Sequence, residues 1–92
     1  MNWHVIVRTK ISQAIGRCGL SRQGLIRVYA RVYGELPARA DQLRRRRDPA
    51  DPDYFLYRFA LRDAGIWHTF SFRVDDVSAP SYLFIKEVKH SI

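Results

Sequence analysis

Ninety-two residues with sixteen Lys+Arg against nine Asp+Glu carry a formal charge of +7, which describes one small basic domain over 1–92 and excludes a multidomain enzyme. Hydrophobic residues at 47% and aromatics at 13% exclude a disordered basic tail, which would be poor in Tyr, Phe and Trp. The core of so short a chain is thin. The single cysteine, Cys18, has no internal disulfide partner and three scattered histidines make no closed zinc set. No metal or cofactor is therefore expected, and a partner protein is the expected source of extra stability, with the oligomeric state left open. No apolar run approaches the ~20 residues of a membrane span, and Met1-Asn2-Trp3-His4-Val5 lacks the pattern of a signal peptide. The expected address is the cytoplasm, without a membrane segment.

Residues 1–47 hold eleven basic and two acidic side chains, and 48–92 hold five basic and seven acidic, so the positive field belongs to the first half. Thirteen of the sixteen bases are arginine, whose planar fork binds phosphate bidentately. A codon bias toward arginine would account for the ratio of Arg to Lys but not for the net sign.

In chain order, Trp3 to Arg8 alternates as a short strand, and Thr9 is placed to cap a helix. Ile11, Ala14, Ile15 and Cys18 form its apolar stripe, ending near Gly16 and Gly19. Ser21 is an N-cap for a second helix whose apolar positions run from Leu25 through Val28, Val32 and Leu36. Arg22, Arg27 and Arg31 would form its solvated face, and the short connection predicts an antiparallel helical hairpin. Pro37 to Leu43 adds a short helical turn before Arg44-Arg45-Arg46-Arg47, and 48–53 reads as a loop. From Tyr54 the period becomes two. A two-residue turn at Ala64-Gly65 sets Leu61 opposite His68, Phe59 opposite Phe70 and Tyr57 opposite Phe72, with both apolar sets on one face. Asp75 to Pro80 reads as a turn, with Asp75 and Asp76 as turn formers, and Tyr82 to Val88 as a central strand covered on both sides. The class is α+β, with the order β-α-α-β-β-β: a helical hairpin packed on a small, mainly antiparallel sheet.

The hairpin's other face would present Tyr54, Arg58, Arg62, Trp67, Thr69, Ser71 and Arg73. Arginine supplies phosphate contacts and exposed rings supply stacking for unpaired bases. The alternative is an ordinary solvated sheet face with an Arg62–Trp67 cation–π pair. Arg44, Arg45, Arg46 and Arg47 read either as a phosphate-contact patch or as a solvated helix end favoured by the helix dipole, partly balanced by Asp48, Asp51 and Asp53.

The element order, the basic connection, and the run Tyr57-Arg58-Phe59-Ala60-Leu61-Arg62-Asp63-Ala64-Gly65-Ile66-Trp67 followed by a closing strand resemble the RelE/ParE superfamily of bacterial toxins. Val88-Lys89-His90-Ser91 resembles the close of the last strand in its YafQ and HigB-like branches. The resemblance implies the RelE-like fold and a toxin neutralised by an antitoxin protein. Its RelE-like form is a ribosome-dependent mRNA endoribonuclease that drives the ribose 2′-hydroxyl onto the adjacent phosphate. Its ParE-like form shares the fold and inhibits DNA gyrase without cutting RNA. Arg58 falls where RelE-like toxins carry a basic residue, whereas Ala60 and Trp67 stand where the family carries Lys and Arg. The catalytic set so implied is His90 as general acid or base with Arg58, Arg62 and Lys89 on the phosphate. RNA contacts would come from Arg44, Arg45, Arg46, Arg47, Trp67 and Arg73. His90 near the chain end also reads as a frayed residue, and His4 and His68 as structural. A catalytically degenerate toxin and a nucleic-acid-binding module unrelated to toxins are the alternatives.

Overall fold

The computed structural model describes residues 2–47, 50 and 52–92. In chain order these form β1 (His4–Ile6), α1 (Thr9–Gly16), α2 (Arg22–Ala30), a π-helical turn (Arg31–Glu35), α3 (Leu36–Arg45), β2 (Phe55–Asp63), β3 (Ile66–Ser78) and β4 (Ser81–Ser91). The sheet runs β1-β4-β3-β2, parallel between β1 and β4 and antiparallel elsewhere. The class is α+β, with helices on a four-stranded mixed sheet. No helix among the described residues is long and apolar enough to cross a membrane.

The helices cover one face of the sheet only. Phe55, Tyr57, Phe59 and Leu61 of β2 and Phe70, Phe72 and Val74 of β3 point inward and are buried with Leu83 and Ile85 of β4. The helices answer with Ile11, Ile15, Val28, Val32, Leu36 and Ala40. α1 lies against β4, and α2 and α3 both lie against β2; a bond between the Ser12 and Tyr29 hydroxyls (2.8 Å) links α1 to α2. Intermediate residues on β2 are exposed at each alternate position, as a half-covered sheet requires. β4, read from sequence as covered on both sides, is interior in strand order but open on its outer face.

The hairpin register agrees with the sequence pairing at Leu61–His68, Phe59–Phe70 and Tyr57–Phe72. Ala64 and Gly65 both take positive φ (49° and 79°), the geometry of a two-residue turn that matches the strand twist. Three other readings change. Thr9 is the first helical residue, and the cap position, Arg8, makes no side-chain cap bond. The second helix does not stop before Pro37 but continues to Arg45. Pro37 cannot donate to the carbonyl four residues back and its ring crowds that turn; the helix widens into the π turn at Arg31–Glu35 just there. The turn expected at 75–80 is strand as far as Ser78. Asp76 therefore continues the inward row of Phe70, Phe72 and Val74 instead of forming a turn. The loop reading of Asp48, Pro49 and Asp51 lies outside the described residues.

Polar networks at the helix–sheet seam help fix the helices on the sheet. Asp63, the last inward residue of β2, accepts from the Ser21 backbone N–H (2.7 Å) and the Ser21 hydroxyl, while the Ser21 hydroxyl oxygen accepts from Gly24 N–H. The first turn of α2 is thus capped by its own serine and held by a strand carboxylate, an anion at a helix N-terminus. These bonds hold the Asp63 carboxyl below the usual carboxylate range. Gly24 is required by this approach, since a Cβ there would stand 2.6 Å from the Asp63 carboxyl carbon. At the other end, Tyr57 donates to Glu35 (2.6 Å), and Glu35 pairs with Arg31 and Arg39. Burial and the Glu35 carboxylate push the Tyr57 phenol upward.

Candidate nucleic-acid interface

With all helices on one side, the opposite sheet face is open, and the register places its side chains in rows. Arg58 of β2, Ser71 of β3 and Lys89 of β4 are successive cross-strand partners, and so are Leu56, Arg73 and Glu87. Ala60, Thr69 and Ser91 form a third row, and Arg62 faces Trp67 beside it. Among the described residues Arg58 reaches only the Ser71 hydroxyl, at 3.4 Å. No ion pair among the described residues engages Arg58, Arg62 or Lys89. Arg73 is more committed: its guanidinium lies 4.3 Å over the Tyr54 ring and 3.5 Å from Asp75. Trp67 is 59% exposed. It pairs with Arg62 in register, while the cation–ring contacts on this face are those of Arg73 on Tyr54 and of Arg8 and Lys86 on Phe84. A depression of about 160 Å³ lies between Tyr54, Arg58, Ser71, Arg73, Glu87 and Lys89.

The sequence-derived catalytic set is divided. Arg58, Arg62 and Lys89 share the open face, but His90 points the other way. Its cross-strand partner is the buried Phe70, whose ring it meets at 4.9 Å, and its Nε2 lies 2.8 Å from Nδ1 of buried His68. The reason is a β-bulge in β4. Glu87 pairs with Arg73 and Ile85 with Val74, leaving Lys86 as an extra residue. Leu83 and Ile85 point inward before the bulge, and Val88 and His90 after it, because one added residue exchanges the two faces. Partial burial, and then the neighbouring His68, hold the His90 imidazole below its ordinary value. It is an ordered strand residue and not a frayed end. His4, on the open side, meets Tyr82 edge-on.

The arginine run is also divided. Asp76 accepts from Arg44 Nε at 2.6 Å and from Arg47 Nη2 at 2.9 Å, and Arg47 further donates to the Pro52 carbonyl. Arg44 lies over the Trp3 ring and Arg47 over Phe55. These two pin α3 to the sheet, while Arg45 and Arg46 are exposed. Arg27 of α2 donates to the Arg62 carbonyl and Arg31, at the start of the π turn, lies over Phe59, so the face read as solvated is partly structural. From sequence, Asp63 and Arg39 have no assigned role and Asp76 reads as a turn former. The two aspartates were legible as the next inward position in each strand's alternation; Arg39 had no sequence signal. Cys18 is half-buried, its thiol donating to the Ala14 carbonyl. No protein-family model, no curated protein and no solved structure matches this chain.

Proposed function

We propose that the protein binds single-stranded RNA on the open face of its sheet, as a toxin of the RelE/ParE kind kept inactive by an antitoxin. The observation that carries this reading is the row Arg58–Ser71–Lys89 across three strands, whose two cations have no ion pair among the described residues, on the same face as the exposed indole of Trp67 two rows away. Cations spaced along a sheet meet successive phosphates, and an exposed ring stacks on an unpaired base. The RelE-like fold and the cytoplasmic ribosome as target belong to the same proposal; the helices on one face and the open strand face are compatible with both.

For RNA cleavage, Arg58, Arg62 and Lys89 would stabilise the charge that develops on the phosphate. His90 is not among them, since it faces the helices. That placement favours a second reading, a ParE-like or catalytically degenerate toxin that holds its target without cutting it. Primer extension on translating ribosomes separates the two. Codon-position cuts that vanish in R58A and K89A support the endoribonuclease; growth inhibition without cuts supports the second reading. Normal growth of cells expressing the chain at high level, together with no measurable RNA binding by the purified protein, would reject both.

A further inference from the structure

A second concavity lies round the corner from the open face. It is a cleft of about 450 Å³ between the C-terminal turns of α3 and the edge strand β2, with Arg39, Arg46, Arg47 and Arg58 around it and Tyr54 and Tyr57 in its wall. No carboxylate among its described lining residues balances these four guanidiniums. Arg47 is held by Asp76 and the Pro52 carbonyl. Among the described residues Arg39 is held only by a 3.6 Å pair to Glu35, a carboxylate already bonded by Tyr57 and Arg31. Arg46 is exposed and has no such partner among the described residues. Tyr54, Leu56 and Arg58 line both this cleft and the depression on the open face, so the two are joined across the β2 edge, with Arg58 at the join.

We propose that the cleft is a second nucleotide subsite, in which Arg46 and Arg39 bind the phosphate that follows the one held by Arg58, so that a bound single strand turns round the β2 edge. The inference rests on the RNA-binding reading and adds a path and a minimum length to it. A dinucleotide fills the open face alone. Longer strands reach the cleft and gain its two guanidiniums.

The test is fluorescence anisotropy with labelled uridine oligomers of two to eight nucleotides over a salt series, on the full chain. Removing both cleft arginines (R39A with R46A) should leave dinucleotide affinity unchanged and weaken the eight-mer by about tenfold or more. The slope of log affinity against log salt for the eight-mer should fall by about 0.7, since the two arginines share one phosphate and each single-strand phosphate neutralised contributes about 0.7. R58A should weaken every length. Circular dichroism melts report folding, and R46A alone, at an exposed position, gives the same test if the double variant is unstable. If R58A weakens binding at all lengths and the cleft variants change none, the subsite is overturned while the open-face reading stands. If no oligomer binds the wild-type chain, the open-face reading itself fails. If a deca-glutamate peptide binds through Arg39 and Arg46 while RNA of every length ignores them, the cleft takes an acidic peptide and the proposal is overturned.

Discussion

Asp76 joins stability to the proposed binding, and its replacement should move the two in opposite directions. Its side chain is 6% exposed and takes one charged donor on each oxygen, Arg44 at 2.6 Å and Arg47 at 2.9 Å. A hydrogen bond to a charged group contributes about 1.5–3 kcal/mol, and breaking a fully buried ion pair costs about 3–5 kcal/mol. The arginine side chains are 28% and 23% exposed, so water recovers part of that loss and D76N should cost about 2 kcal/mol, at the lower end of those ranges. For a domain of this size each kcal/mol moves Tm by about 4–8 °C, which predicts a fall of about 8–16 °C in a circular dichroism melt. The deficit should persist in high salt, because a buried pair is screened little. The same variant frees Arg47, which lines the cleft, from its carboxylate, so RNA affinity should rise and its salt slope should steepen by about 0.7 if it reaches a phosphate. A melting temperature within about 2 °C of wild type, on the same scale of Tm per kcal/mol, would refute the structural role given to Asp76.

Other outcomes follow from the same contacts. Gly24→Ala raises intrinsic helix propensity by about 1 kcal/mol, yet its Cβ would displace the Asp63 carboxylate from Ser21, so Tm should fall; a rise would show that the carboxylate shifts freely. Ala64→Asn places the favoured residue at a positive-φ turn position and should stabilise by about 0.5–1 kcal/mol, read as a higher urea midpoint. Trp67→Ala should leave the melt unchanged and weaken single-stranded RNA binding by the ~1–3 kcal/mol of one stacked base; unchanged affinity removes Trp67 from the interface. His90 titrates below its ordinary value in the folded chain, so the unfolded chain takes up the proton first. Stability from this group is full above about pH 6.5 and declines as pH falls from there through the lower native value. Urea melts at several pH values should show a shallower loss in His90→Gln, and equal losses would contradict the assignment. Glu35 and Asp63, both held below the usual carboxylate range, contribute stability that is lost only at more acid pH, as each falls through its native value.

Much of the fold is legible in the sequence because alternation and helical spacing are local. The runs Phe55–Leu61 and His68–Val74 fix one buried face each, and the two-residue turn at Ala64-Gly65 fixes how they meet, so the hairpin register follows from the residues alone. The Ser21 cap follows in the same way. The same parity, extended one step, would have assigned Asp63 and Asp76 to the interior. An aspartate at a strand end ordinarily stays in water, as the turn reading of Asp76 supposes; in the folded chain Ser21 brings donors to Asp63, and Arg44 and Arg47 bring them to Asp76.

The candidate site was only half legible for a related reason. The strand pattern alone determined that Arg58, Arg62, Trp67 and Arg73 share a face, since period two needs no knowledge of distant residues. It could not place His90 and Lys89, because the bulge at Lys86 is set by pairing between β3 and β4 and exchanges the faces of everything after it. Nor could adjacency in Arg44–Arg47 distinguish the two arginines that turn inward to Asp76 from the two left for a ligand. A helix directs neighbours in sequence to different sides, and which side meets a carboxylate is decided only when α3 docks on the sheet.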